Sequence, residues 1–425
     1  MGAGAINHLT ALGLLIAVPI VVAALLRWAR APGWPVLGGL LAGMLLGPTI
    51  LGRVAPRQYE DWFVGGRTER VSRDDLARTL DRERFVALNA GVASDRLRAM
   101  DAAHEPQLRA AAQVLHEARW HDQRSLRALA AIVVALVLLG SATRHVRHRD
   151  RRQGLVAPVT IGLWAALLPG MIAFAVAWRL WPHDLATALL AGAAMSIGPW
   201  ALGEIDREAA DQAEFGGAHM IQRAGRVASA AGLAAVAGAL LAAGSSAAAA
   251  WAAPLAALPI AWLLPHLKSP ALMRVIDAAL LPVACALIMV RIDVIEHLNV
   301  WMIVVFMVLA GDGRWIGALL GALIMGGRSG LRTMRLVTGA MSCGPTMLAV
   351  TAVGVYSGLL PGAGVGLAPG AGAGPSPGAG AGGESIALAL VLSAALIEVT
   401  TPARRAVVRR LVETEREIEE IGHDG

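Results

Sequence analysis

Two copies of one six-residue phrase hold the residues of this sequence that are best suited to bind an ion. The phrase is AMSIGP at 194–199 and AMSCGP at 340–345, so five of the six letters agree. The candidate binding residues are Ser196, Gly198 and Pro199 in the first copy and Ser342, Gly344 and Pro345 in the second. Glycine weakens a helix and proline removes a backbone donor, so each copy should interrupt the apolar helix that contains it.

An interrupted helix is tolerated at only a few kinds of place in a membrane. In lipid, an unwound backbone is tolerated only where protein or a water-filled cavity satisfies its polar groups. Paired interruptions in corresponding parts of two halves are the best sequence indication of a transporter's binding site. The alternative is chance similarity in a chain rich in alanine and glycine.

Two ionisable residues, Asp312 and Arg314, lie near the centre of a third apolar run, 299–325. Ionisable residues at bilayer depth are costly and usually functional. Two residues apart on a helix, they point in different directions and pair poorly with each other. The alternative is that residues 311–313 form a turn between two short spans, with both charges in water. The hydroxyls of Ser196, Ser229 and Ser342 suit cation coordination, although small polar residues also serve helix packing.

Composition places the chain in a membrane. Of its 425 residues 56% are hydrophobic and only 16% are charged, with a mean hydropathy of +0.58. In such a chain the net charge of +6 is expected to reflect basic cytoplasmic loops rather than nucleic-acid binding. The two cysteines, Cys285 and Cys343, lie in apolar runs and form neither a disulfide framework nor a metal motif. We expect no cofactor, no metal site and no enzymatic activity.

Eleven apolar runs predict eleven spans: 9–27, 34–53, 126–143, 156–178, 185–203, 225–244, 248–265, 272–290, 299–325, 336–358 and 384–402. The predicted domains are the first two transmembrane helices (1–53), an amphipathic helical insertion outside the bilayer (54–125), a transporter core (126–402) containing a disordered Gly/Pro loop (361–383), and a cytoplasmic tail (403–425).

The arginines predict the orientation. With the amino terminus outside, the basic links fall on the cytoplasmic side and the insertion lies outside, in the periplasm of a bacterial-type inner membrane. The two copies of the phrase then run in opposite directions through the bilayer, which is the pattern of an inverted repeat. Their half-helices would point their charged ends at one site in the midplane.

Five stretches of the sequence carry a family resemblance. They are PVLGGLLAGMLLGP at 35–48, the run with a basic end at 126–149, the first phrase, GRWIGALLG at 313–321, and the second phrase together with Thr400, Thr401 and Pro402. On these motifs the chain resembles the monovalent cation:proton antiporter-2 family, the Kef-type sodium/hydrogen exchangers. The resemblance covers most of the membrane part, whereas 54–125 has no counterpart. Within the first motif, Gly38, Gly39, Gly43 and Gly47 favour close helix packing over phosphate binding.

The resemblance implies an all-α polytopic protein with inverted repeats and two broken, crossing helices. It implies exchange of a monovalent cation, Na⁺ or K⁺, against protons by alternating access. Arg314 occupies the place of a buried Lys or Arg in the family and would neutralise the carboxyl ends of the half-helices. The family's ion-binding aspartates are missing, since no Asp or Glu occurs from Val227 to Ile276. Asp312 is the candidate substitute for the missing carboxylate.

Three functional hypotheses remain open. The first is a cation:proton antiporter, embedded in lipid and assembled as a homodimer. The second is a non-transporting membrane sensor or scaffold that reuses the fold, because the usual aspartates are absent. The third is transport of an anion or neutral solute with Arg226 or Arg314 as the fixed charge.

Overall fold

The apolar runs fold as α-helices. The computed structural model describes residues 3–143, 156–180, 185–197, 229–241, 249–257, 275–324, 344–360 and 381–423. About 90% of the structure is helical, and these described residues contain no strand.

The helices of the amino-terminal part are α1 (Ala3–Trp28), α2 (Trp34–Leu46), α3 (Arg67–Asn89), α4 (Ser94–Asp122), α5 (Arg124–Thr143), α6 (Val156–Ala175) and α7 (Leu185–Ser196). Those of the carboxyl-terminal part are α8 (Ser229–Leu241), α9 (Leu281–Met289), α10 (Val300–Val308), α11 (Arg314–Ile324), α12 (Gly344–Ser357) and α13 (Ala381–His423). Residues 249–257 are also helical. Short helical turns and π-turns, among them Ile276–Leu280 and Leu309–Gly313, join or extend these helices.

Five helical segments of the described chain are long and apolar enough to cross a membrane. They are Leu9–Trp28, Trp34–Val54, Thr160–Leu180, Val300–Ile324 and Gly383–Thr400, and a pair bent by 53° at 122–124 would make a sixth. Each of the other predicted runs contains a shorter helical segment within the described residues. The chain therefore has the helices of a membrane protein, and the count of eleven spans stays a prediction.

Helix α9 lies at the centre of the bundle, and all nine of its residues are buried. Helix α2 packs against it through the glycines of the first motif. A Cβ at Gly39 would lie 2.2 Å from the carbonyl oxygen of Pro282, and one at Gly43 would lie 2.5 Å from Cβ of Met289. The prediction that these glycines serve close helix packing is confirmed.

The insertion is a helical hairpin of α3 and α4, as the amphipathic pattern predicts. Arg84 bridges to Asp101 across the hairpin, with an N–O distance of 3.4 Å. The first residues of the predicted insertion pack against the apolar helices, since Tyr59, Phe63 and Val64 are buried. The Tyr59 hydroxyl donates to the carbonyl oxygen of Val290 at 3.1 Å.

Several helix ends meet at one end of the bundle. The contacts join Tyr59 to Val290, Arg53 to Asp293, His297 to Glu384, Thr187 to Leu359 and Arg291 to Tyr356. They bring together the ends of α2, α9 and α12 and the starts of α7, α10 and α13. The arginine pattern assigns every one of these ends to the outer side, so the packing agrees with the predicted alternation of the spans.

The carboxyl-terminal boundaries differ from the predicted ones. Helix α13 is continuous from Ala381 to His423, so the last span and the tail are one helix and residue 402 is not an element boundary. The last three residues of the predicted loop, 381–383, belong to this helix, and residues 361–380 lie outside the described residues.

Candidate functional site

The first copy of the phrase lies at the end of a helix and the second lies at the start of one. Helix α7 ends at Ser196, two residues before Gly198, and α12 begins at Gly344 with Pro345 buried in its first turn. A residue before proline avoids the helical conformation, whereas proline in a first turn sacrifices no intrahelical bond. The described helices are 12 and 14 residues long, shorter than the roughly 20 residues that span a bilayer.

Helices α7 and α12 are antiparallel neighbours. The Thr187 hydroxyl donates to the carbonyl oxygen of Leu359 at 2.6 Å, and a Cβ at Gly354 would lie 2.2 Å from the Leu190 side chain. Later residues of α7 thus face earlier residues of α12. At about 1.5 Å per residue, Ser196 is level with the second turn of α12. Ser196 of the first copy and Pro345 of the second therefore lie at nearly the same level on helices of opposite direction.

Arg314 binds the end of α7. Its side chain is buried, with 1% of its surface exposed, and Nη2 donates to the carbonyl oxygen of Met195 at 2.6 Å. The last carbonyls of a helix have no intrahelical donor and carry the negative end of the helix dipole, so a cation is favourable there. Met195 belongs to the first copy of the phrase. The structure therefore joins Arg314 to that copy.

Two serine hydroxyls lie beside the same helix end. Ser196 is buried, and its hydroxyl donates to the carbonyl oxygen of Gly192 at 2.8 Å. Ser229 is fully buried at the start of α8, and its hydroxyl has no hydrogen-bond partner among the described residues. Gly232, one turn further along α8, packs against Ile197, whose backbone nitrogen would lie 2.9 Å from a Cβ at that position. Residues three apart share a helix face, so Ser229 also faces the end of α7.

Helix α6 holds this site together because it packs against both α7 and α11. A Cβ at Gly317 would lie 2.4 Å from the carbonyl oxygen of Trp164, and one at Gly321 would lie 2.7 Å from Cα of Ile161. On the other side, Gly170 of α6 directly contacts Ser196. Glycines at these contacts let the backbones approach closely, which is the usual way to pack helices in lipid. This contact fixes the position of Arg314 relative to α7.

Asp312 lies apart from this site. The segment Leu309–Gly313 is a π-turn inside the continuous helical segment Val300–Ile324, so the alternative of a turn between two spans is wrong. Asp312 is exposed on this turn, whereas Arg314 is buried two residues later. The structure therefore does not bring Asp312 to Met195, Ser196 or Ser229. The remaining predicted site residues, Gly198, Pro199 and Ser342, lie outside the described residues.

A second polar cluster, the junction cluster, was missed by the sequence reasoning. It consists of Arg53, Asp293, His297 and Glu384, at the end of the bundle where the insertion joins. Arg53 bridges to Asp293 at 3.2 Å, and Nδ1 of His297 lies 3.1 Å from a carboxylate oxygen of the buried Glu384. Among the described residues no three His, Cys, Asp or Glu side chains are placed to hold a metal ion. The sequence feature that could have indicated this cluster is Glu384, a carboxylate at the edge of an apolar run.

The pH dependence of stability should report on His297. Burial lowers the pKa of His297 below its usual value, and the nearby carboxylates of Glu296 and Asp293 only partly oppose this effect. The folded protein therefore favours the neutral imidazole. The stability that this provides is fully present above the unfolded pKa of about 6.5 and is lost as the pH falls below it. Between pH 7 and pH 5 the unfolding temperature should fall more in the wild type than in His297→Gln, and equal slopes would contradict the assignment.

No protein-family model matches the chain, and no curated protein sequence matches it. The function is therefore argued from the geometry of the site.

Proposed function

We propose that this protein is a secondary active transporter of the antiporter type that the sequence motifs resemble, working by alternating access around α7 and α12. The observation that carries the proposal is the bond from Arg314 to the carbonyl oxygen of Met195. A fixed buried cation at the end of a short helix, beside an antiparallel short helix, is the arrangement expected at a midplane ion site.

The proposed exchange is a monovalent cation, Na⁺ or K⁺, against protons. The hydroxyl oxygens of Ser196 and Ser229 supply neutral ligands, and Asp312 is the proposed proton carrier. Asp312 is exposed in the conformation described here. The exchange proposal requires a second conformation in which the Asp312 side chain reaches the ion path.

A second candidate function is a membrane sensor or scaffold without transport. It is favoured by one observation: the only charged side chain that the described residues place at the end of α7 is a cation, Arg314, while Asp312 lies on the exposed surface. In that case the α3–α4 hairpin would be the sensing or docking module.

Proteoliposomes containing a pH-sensitive dye test the proposal. After a proton gradient is imposed, pulses of Na⁺, K⁺ or Li⁺ should dissipate it in the wild type. Asp312→Asn should abolish this response, whereas the matched variant Asp81→Asn in the exposed hairpin should keep it. If none of the three cations acts on the wild type, the antiport proposal is wrong and the scaffold or the transport of an anion or neutral solute takes its place. If Asp312→Asn retains exchange, Asp312 is not the proton carrier.

Ser229→Ala separates a binding role from a packing role. Because the Ser229 hydroxyl is buried without a partner among the described residues, its removal should leave the free energy of unfolding unchanged or raise it by about 1 kcal/mol. If the hydroxyl binds the cation, the same change should raise the cation concentration needed for half-maximal exchange. Ser196→Ala is the comparison variant, because it removes both a candidate ligand oxygen and the hydrogen bond from Ser196 to the carbonyl oxygen of Gly192. Thermal unfolding and the dye assay on the same preparations measure both effects.

A further inference from the structure

A second set of buried cations lies where the end of α9 meets α12. Arg291 has 1% of its surface exposed. None of its three side-chain nitrogens has a hydrogen-bond partner among the described residues. Its Cζ lies 5.4 Å from the centre of the Tyr356 ring, which offers a partial cation–π contact. For a buried guanidinium without hydrogen bonds, most of the free-energy cost of removing it from water is not offset.

Arg127, near the start of α5, adds a second positive charge to the same region. Its Nη1 is also buried without a hydrogen-bond partner in the described part of the chain. Arg291 and Tyr356 are the two groups that act electrostatically on Arg127. We call Arg127 and Arg291 the arginine pair. Two like charges that act on each other repel, so the pair needs a counter-charge more than either arginine would alone.

Two carboxyl groups lie at the same end of the bundle, Asp293 and Glu384. Asp293 bridges to Arg53, and Glu384 lies beside His297, although its Oε2 makes no hydrogen bond to a described residue. Neither of them forms an ion pair with Arg127 or Arg291 among the described residues. The hydroxyl of Tyr356 donates to the carbonyl oxygen of Leu287, so it supplies no charge either. Within the described residues, this positive site therefore has no paired anion.

We propose that the arginine pair binds an oxyanion, the carboxylate or phosphate group of a ligand. A guanidinium presents its N–H donors in a planar fork that matches two oxygens of such a group. The nitrogens of Arg291 have the Tyr356 side chain beside them and no well-formed hydrogen bond to a described residue. The Trp120 indole stacks on Arg127, with the ring centre 3.2 Å from Cζ, and is 49% exposed. This binding is independent of the transport proposal.

The oxyanion has two possible sources, a soluble anion or the phosphate of a lipid headgroup. The test uses the full-length protein, purified in detergent and freed of lipid, at constant ionic strength in sodium chloride. Replacing part of the chloride with phosphate should give a saturable rise in unfolding temperature of about 5 °C at a large excess of ligand. In the second arm, a short-chain phosphatidylglycerol is added instead. A rise with phosphate identifies a soluble ligand, and a rise with the lipid alone identifies a headgroup.

Variants make the result specific. Arg291→Gln should abolish the rise, Arg291→Lys should weaken it, and the exposed arginine variant Arg179→Gln should keep it. If Arg291→Gln does not fold, Arg127→Gln replaces it and should raise the half-saturating anion concentration about tenfold, as expected for a lost charged hydrogen bond of about 1.4 kcal/mol. The proposal is overturned if neither phosphate nor the lipid stabilises the wild type. It is also overturned if the rise is unsaturable and equal in wild type and variants, as excluded salts produce.

Discussion

Replacing Arg314 with glutamine is expected to reduce cation-driven proton exchange to below about a tenth of the wild-type rate, the effect of losing 1.4 kcal/mol or more. The carbonyl oxygen of Met195 loses its donor, which costs about 1–3 kcal/mol at a buried site. The end of α7 also loses a cation that is worth up to about 2 kcal/mol against the helix dipole. Exchange in proteoliposomes measures the functional loss, and thermal unfolding of the same protein measures the structural one.

Two further variants show whether charge or geometry matters at Arg314. Arg314→Lys keeps the cation but loses the guanidinium fork, so it should retain a fraction of the exchange. Arg179→Gln is the matched control, because Arg179 is exposed and its loss should change stability by no more than about 0.5 kcal/mol. Unchanged exchange in Arg314→Gln would remove Arg314 from the proposed ion site.

Replacing Gly317 with alanine should destabilise the protein by about 3 kcal/mol, at the upper end of overpacking costs. The added Cβ would lie 2.4 Å from the carbonyl oxygen of Trp164 and 3.1 Å from Cα of Ala165. Both are backbone atoms, so no side chain can rotate away and α11 must separate from α6. Since α6 also packs against α7, the separation should move Arg314 away from Met195 and reduce exchange as well.

Gly311→Ala is the control for this prediction. Gly311 lies on the same continuous helical segment, and a Cβ there would have no heavy atom within 4 Å. Alanine favours the helix over glycine by about 0.5–1 kcal/mol, so this variant should be neutral or slightly stabilised. Thermal unfolding in detergent distinguishes the two variants. Equal unfolding temperatures would show that α6 and α11 are not in close backbone contact.

The local sequence pattern predicted many of the helices and, in the candidate site, the burial of Arg314. The glycines of α2 occur at helical spacing in an apolar run, and such glycines usually mark close packing, which is what Gly39 and Gly43 do. A charged arginine is costly at bilayer depth, so a buried Arg314 was expected to bind a partner such as a backbone carbonyl. The prediction that each copy of the phrase interrupts its helix is met by the end of α7 at Ser196, and it stays a prediction for the second copy, whose first four residues lie outside the described residues.

The rest of the site depends on features without a local signal. The π-turn Leu309–Gly313 changes the helix face on which each later residue lies, and the two glycines of that segment indicate an irregularity without indicating a π-turn inside a continuous helix. Periodicity therefore could not tell that Asp312 is exposed while Arg314 is buried. Arg291 follows an apolar run and looks like a residue at the membrane surface, yet the packing of α12 covers it. The junction cluster joins residues up to 331 positions apart, Arg53 to Glu384, which spacing alone does not connect.

Helix α13 is longer than a bilayer is thick. Its 43 residues correspond to a rod of about 64 Å. Glu384 lies near one end of this helix, beside His297, and a stretch containing Glu413 and Glu419 lies towards the other end. On the predicted crossing of the bilayer, one unbroken helix joins the buried Glu384 on one side to this acidic stretch on the other.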